Sequence, residues 1–345
     1  MSVLIARHPL YERHDTGPGH PERPSRLAAV VAGIRAAGLE EVLVEFEPEP
    51  AHRELVVEVH PGTYLERLET LVLTGGRHVD ADTVIGADSL DAAMVAAGAG
   101  LGAIERLDRG EASAAFCAVR PPGPHATRAT AMGFCLVNNV AVAARTLADR
   151  GERVLIVDID AHHGNGTQDV FYDDPRVLFV SLHEYPLYPG TGRLDEVGEG
   201  IGLGTTVNLP FPAHTTGDVY RHALDRLVLP AAEAFGPTWL LVSAGFDGHR
   251  RDPLTGLGLT SGDFADMTRE LLTLAPPGRR LFFLEGGYDL QALSDSVGAV
   301  LAELAGVQFR PEPPSSGGPG ESVVGAAREW HERAMDIGPS DLSAH

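Results

Sequence analysis

Over roughly its first 305 residues the chain alternates short apolar runs with longer stretches in which apolar residues recur every three or four positions. The runs Val3–Arg7, Val42–Phe46, Ala114–Val119, Val154–Asp158, Val177–Leu182, Trp239–Ser243 and Leu281–Leu284 read as strands. Several are apolar throughout, as strands covered on both faces must be. Helices are predicted over Ser25–Ala37, Leu90–Leu107, Asn139–Arg150, Asp218–Phe235, Gly262–Leu274 and Leu290–Leu304. In the second of these, Leu90, Met94, Ala97, Leu101, Ile104 and Leu107 fall on one stripe. Ser25 opens the first and Gly38 follows its end, which are start and stop signals. This alternation predicts an α/β fold in three layers, with a central, mostly parallel sheet flanked by helices.

In such sheets ligands bind at the carboxyl ends of the strands. His8, Arg120–His125, Asp158–Asn165, His183, Asp247 and Gly286–Tyr288 each follow a predicted strand. In VDIDAHHGNG, Asp160 and His162 stand two apart at a strand end, so strand alternation points both side chains the same way. A third ligand must come from another strand, and Asp247 follows the apolar run WLLVSAGF. Two oxygens and one nitrogen around Zn²⁺ leave positions for water and substrate, the arrangement of a catalytic site. An isolated Asp-x-His after a strand is usually a solvated turn. Here it is joined by a second acidic strand end, a histidine pair and turns containing Gly164, Gly166, Gly286 and Gly287, where the backbone can pass close to a ligand. Ureohydrolases of the same broad architecture carry a further aspartate two residues after the histidine. Gly164 occupies that place here, so one transition metal is expected, not two.

Composition narrows the partners. The net charge of −21, from 27 basic and 48 acidic residues, excludes a broad phosphate footprint and hence nucleic acid. Such acidity serves solubility, or attraction of a cationic substrate. Cys117 and Cys135 make no disulfide framework and fit a reducing compartment. No stretch reaches the ~18 apolar residues of a membrane span, and the N-terminus lacks a signal-peptide layout. A cytoplasmic protein without a membrane partner is therefore expected; the oligomeric state is left open. RPEPPSSGGPGE, residues 310–321, reads as a linker, with a short helix over Val323–Met335. The expected organisation is a catalytic domain over 1–305 and an appendage over 306–345.

Taken together, HPERPSRL, RPPGPHA, GFCLVNNVAVAA, VDIDAHHGNGTQDVFY, YPGTG, VNLP, SAGFDGHRRDPLTGL and LEGGYDL resemble, in order, the motifs of the histone deacetylase and acetylpolyamine amidohydrolase superfamily, on its class II-like bacterial branch. The resemblance implies an arginase-like fold with an acyl-lysine tunnel leading to one zinc on Asp160, His162 and Asp247. It makes His125 the general base and acid, and Tyr288 the donor to the substrate carbonyl. Phe134 and Tyr188 become the tunnel walls, although the second is usually phenylalanine. Gly133 offers a backbone carbonyl to the substrate NH, and Asn165 supports the His125 imidazole. A structural monovalent cation, usually K⁺, sits in the family beside the zinc loop. Asp158, Asp160, His162, Ser181 and Leu182 hold the matching positions.

One departure stands out. The family pattern is RPPGHHA, and here Pro124 replaces the first histidine, whose usual partner matches Asp158. Proline has no titratable group and no N–H. Two readings follow: His125 performs both proton transfers, or the chain is a zinc-loaded binder of acyl-lysine with impaired chemistry. The substrate expected is an acylated lysine in a protein, with an acetylpolyamine or another acylated small amine second. Leu254, at the rim, lacks the carboxylate with which polyamine-preferring relatives meet a second amine.

Overall fold

The structure is a computed structural model and describes residues 2–337. Its centre is an eight-stranded sheet in the order β2-β1-β3-β8-β7-β4-β5-β6. The strands are β1 (Val3–Ala6), β2 (Leu43–Phe46), β3 (Ala114–Cys117), β4 (Val154–Asp158), β5 (Val177–Glu184), β6 (Thr206–Phe211), β7 (Trp239–Ala244) and β8 (Arg280–Leu284). Every pairing is parallel.

The continuous apolar runs are explained by cover on both faces. Leu155, Val157, Leu240, Val242, Phe282 and Leu284 enter one core, while Val154, Ile156, Trp239, Leu241, Leu281 and Phe283 enter the other. Alternate residues of one strand thus feed opposite layers. Helices Ser25–Ala36, Ser261–Leu271 and Leu290–Ala305 contribute to the first core, and Ser89–Asp108 with Asn139–Asp149 to the second.

Three differences from the predicted elements have physical causes. β6 is not predicted because it carries Pro210; it is tolerated there because β6 is an edge strand, paired with β5 alone. The helices Gly62–Leu73 and Asn165–Phe171 open among Pro61, Gly62, Gly164 and Gly166, which read as loop residues. The stretch predicted as one helix over Asp218–Phe235 is interrupted by a π turn at Leu224–Val228, just before Pro230, a residue with no N–H for the ladder.

Residues 310–320 lie against the domain, and helix Glu321–Ile337 follows. Val324 and Ala327 of that helix are buried in the same core as Val207 and Leu209 of β6. Among the described residues no helix is long and apolar enough to cross a membrane.

Strand order positions the chemistry. β4, β7 and β8 are consecutive neighbours, so the turns that follow Asp158, Ala244 and Leu284 emerge side by side at one edge of the sheet.

Candidate active site

The turns after β4 and β7 bring Asp160, His162 and Asp247 together, with one potential ligand atom from each lying within 4.8 Å of the others. His162 Nδ1 is 3.2 Å from Asp160 Oδ1 and 3.0 Å from Asp247 Oδ2. Asp160 Oδ2 accepts the Gly286 N–H at 2.9 Å, and Asp247 Oδ1 accepts that of Ala161 at 2.9 Å, so each carboxylate is anchored by its second oxygen. The convergence owes less to strand alternation than the sequence suggested. β4 ends at Asp158, and Asp160 to His162 form a bend in which Asp160 Oδ1 accepts the His162 N–H at 2.9 Å.

Glycines make the room. A Cβ at Gly245 would fall 1.9 Å from Asp160 Oδ2, and one at Gly286 2.1 Å from Asp247 Oδ2. The field is that of a cation site. Burial opposes charge on His162, but the Asp247 carboxylate and the hydrogen bonds to both aspartates outweigh it and hold the imidazole well above its ordinary range. The donor set, one imidazole nitrogen and carboxylate oxygens in a nearly dry cleft, suits a divalent transition metal.

His125 is buried beside this cluster, its ring 6.0 Å from that of His162. Its Nδ1 donates to Asn165 Oδ1 at 2.9 Å, which leaves Nε2 as the free base. Burial and the neighbouring His162 charge push its pKa down to about 4, so the ring is neutral near pH 7. Asn165 is the first residue of the Asn165–Phe171 helix. The carbonyl of Pro124 accepts the next two amides of that helix, from Gly166 at 2.9 Å and Thr167 at 3.1 Å.

Two aromatic rings flank the cleft. Tyr188 lies edge-on to His125 at 5.4 Å, and Phe134 edge-on to Tyr288 at 5.9 Å. Gly133 and Phe134 both have positive φ, 56° and 68°, and the second is strained for a residue with a side chain. The tightness has a reason: a Cβ at Gly133 would lie 2.5 Å from the His125 ring. The Phe134 N–H donates to Thr83 Oγ1 at 3.1 Å, and the Gly133 carbonyl accepts the Cys135 thiol at 3.2 Å.

Tyr288 is buried, and burial, only partly offset by Arg26, raises its pKa well above 10, which keeps the phenol protonated. The Arg26 guanidinium sits 5.1 Å from its ring centroid and donates to Gly287 O at 2.7 Å and to Glu285 O. Asp252 Oδ2 accepts the Tyr288 N–H at 2.7 Å, and Asp252 Oδ1 that of the half-exposed Leu254 at 3.0 Å.

Sequence reasoning missed these supports. Arg26, Glu22 and Arg120 form a fully buried network, in which Arg120 reaches Glu22 Oε2 at 2.6 Å and Arg26 reaches Oε1 at 3.2 Å. The i,i+4 spacing of Glu22 and Arg26 inside HPERPSRL was an available signal; Arg120, far along the chain, was not. Two of the strand-end histidines stand apart from the cluster. His8 Nδ1 accepts the Leu10 N–H at 3.1 Å, and buried His183 bonds Ser181 Oγ and Gly192 O, each at 2.9 Å.

Asp158 ends β4 in register with Ser181 on β5, next to Leu182, whose carbonyl accepts the Tyr220 hydroxyl at 3.4 Å. Asp158 Oδ1 accepts the Asp160 N–H at 3.0 Å, while buried Oδ2 has no hydrogen-bond partner among the described residues.

The profile of the histone deacetylase domain matches residues 20–304. The chain belongs to the histone deacetylase family. A probable deacetylase of Archaeoglobus fulgidus is 41% identical over 313 residues, covering 89% of this chain and 87% of that protein. Histone deacetylase 9 of Homo sapiens is 36% identical over 347 residues, covering 89% of this chain and 34% of the human protein. The crystal structure of the HDA15 HD domain superposes with a TM-score of 0.89 at 35% identity, covering 100% of this chain and 99% of that one. The sheet and its flanking helices are therefore the arginase-like α/β fold of that family.

Proposed function

We propose that the chain is a zinc-dependent deacylase that hydrolyses the amide of acetyl-lysine. The observation that carries this reading is the meeting of three groups in one buried cleft: the Asp160–His162–Asp247 cluster, the neutral His125 held by Asn165, and the protonated Tyr288. A zinc ion held by Asp160, His162 and Asp247 would polarise the amide carbonyl and lower the pKa of water toward ~7.

The chain's own residues supply the rest. His125 Nε2 takes the proton of the attacking water and passes it to the leaving amine, a role worth ~10²–10⁴ in rate. Tyr288 donates to the oxygen on which negative charge develops; loss of such a donor costs ~10²–10³. Phe134 and Tyr188 flank the acyl-lysine stem, and the Gly133 carbonyl faces its NH. Asn165 sets the His125 tautomer without adding a charge. Gly164 supports a single metal, because a Cβ there would lie 2.1 Å from Asp158 Oδ2 and a carboxylate would not fit. A structural K⁺ is proposed beside Asp158 and Ser181, which stand in register on neighbouring strands with Leu182 next in line.

Acetyl-lysine in a protein is favoured as substrate over an acylpolyamine because Leu254 at the rim carries no charge. The deciding experiment is metal analysis paired with turnover on a panel of acyl-lysine and acylpolyamine substrates. One zinc per chain with hydrolysis of acetyl-lysine is expected. A zinc-loaded protein that turns over nothing on the panel defeats the enzyme reading, and a metal content near two defeats the single-metal site.

A further inference from the structure

Beyond the last helix of the core the chain returns to the periphery of the site, and its seat is cut closely. A Cβ at Gly262 would come 2.5 Å from the carbonyl oxygen of Glu312, and one at Gly318 2.3 Å from that of His214. Fully buried Asp263 accepts the Ser315 N–H at 3.0 Å and its hydroxyl at 2.6 Å, and Arg310 pairs with Asp266 at 2.5 Å.

Glu312 reaches furthest inward. Its mostly covered carboxylate meets His249 Nε2 at 2.7 Å, the Arg250 guanidinium at 2.8 Å and the Ser261 N–H at 3.2 Å. His249 is fully buried, and its Nδ1 accepts the Arg251 N–H at 3.2 Å. Nε2 therefore carries the proton and donates to Glu312, so both ring nitrogens are spent on holding the turn after Asp247. The His249 carbonyl accepts the Asp252 N–H at 2.7 Å, and Asp252 in turn holds the amides of Leu254 and Tyr288. Direct contacts thus run from the C-terminal segment through His249 and Asp252 to the backbone of Tyr288.

We propose that Glu312 is a positioning residue of the deacylase site, fixing the 247–254 turn through His249 so that Asp252 keeps Tyr288 and Leu254 in place. The inference rests on the deacylase reading above. Catalysis is sensitive to such support: a misplacement of ~1 Å at a reacting group costs ~10²-fold in rate.

The test uses the full, metal-loaded chain. Glu312→Ala should lower kcat by ~10-fold, as loss of outer support around a metal site does, with KM and metal content little changed. Hydrogen exchange at the amides of Asp252, Leu254 and Tyr288 should quicken while β7 stays protected. Glu312→Gln should recover most of the lost kcat, because an amide oxygen still accepts from Nε2. Arg310→Ala, which loosens the same segment without touching His249, should keep kcat. Wild-type kcat in Glu312→Ala, unchanged exchange at the three amides, or an equal loss in Arg310→Ala overturns the proposal. A wild-type chain without turnover overturns the deacylase reading instead, and the exchange data then still decide whether Glu312 holds the turn.

Discussion

The carbonyl oxygen of Pro124 accepts the Gly166 amide at 2.9 Å and so ties the segment carrying His125 to the helix that presents Asn165. The bond uses the backbone of residue 124 alone, and any amino acid supplies it. The ring of Pro124 is thus free to change without loss of the tie. The family resemblance pairs an imidazole at this position with Asp158, whose Oδ2 has no partner among the described residues. Pro124→His should fold and bind metal as the wild type does, and raise kcat by about tenfold, less than the ~10²–10⁴ of a full proton-transfer group because His125 is already in place. Steady-state kinetics with metal analysis checks this; an unchanged kcat would mean that His125 already carries both transfers without limitation.

Asn165→Asp should alter the pH profile in a defined direction. A carboxylate beside Nδ1 favours the imidazolium and raises the His125 pKa from its depressed value of about 4. The base is then protonated at a higher pH, so activity should fall earlier on acidification. Measuring kcat/KM from pH 5 to 9 tests this, and an acid limb that stays put or moves down contradicts it. His125→Ala should remove turnover by at least ~10² while metal content holds.

Gly286→Ala should empty the metal site without unfolding the chain. The added methyl would lie 2.1 Å from Asp247 Oδ2 and 2.6 Å from Asp160 Oδ2, so the carboxylates must turn away. Metal content well below that of the wild type, with an unchanged far-ultraviolet circular dichroism spectrum, is the expected result. A variant that keeps its full complement shows that the turn can shift at little cost.

Glu22 links stability to pH. Burial pushes its carboxyl up, but the charges and hydrogen bonds of Arg120, with His14 and Arg26, outweigh this and hold it at about 2, below its ordinary value of 4.5. A depressed folded-state pKa contributes stability above the unfolded value, and that stability is lost as pH falls through the folded one. Glu22→Gln leaves two buried guanidinium groups short of a charge and should cost about 3–5 kcal/mol at neutral pH. Denaturant titrations of both proteins should show the difference shrinking below pH ~4.5. A gap that is constant down to pH 3 would mean that packing, not charge, is responsible.

Much of this was legible beforehand for one reason: strands covered on both faces leave unbroken apolar runs, and parallel sheets gather chemistry at one edge. Val154–Asp158 and Trp239–Ser243 announced themselves, and with them Asp160, His162 and Asp247. β6 was hidden by Pro210, which mimics a loop signal on an edge strand. The supports of the site were hidden by distance along the chain. Nothing local marks Arg120 as a partner of Glu22, Asp252 as the acceptor for Tyr288, or Glu312 as the acceptor for His249. Each is an ordinary charged residue until the fold removes its water.

Asp160 and Asp247 belong to neighbouring strands but are separated by most of a hundred residues, and the gap is filled by β5, β6 and several helices. Loops of that length close late, after the intervening elements have packed. An ion held by the proposed ligands would therefore select the finished sheet, unlike the ion that gathers a zinc finger from disorder. On the proposed reading metal affinity would gauge global integrity, because whatever unsettles the junction of β4 with β7 would part Asp160 and His162 from Asp247, and binding would in turn stabilise that junction.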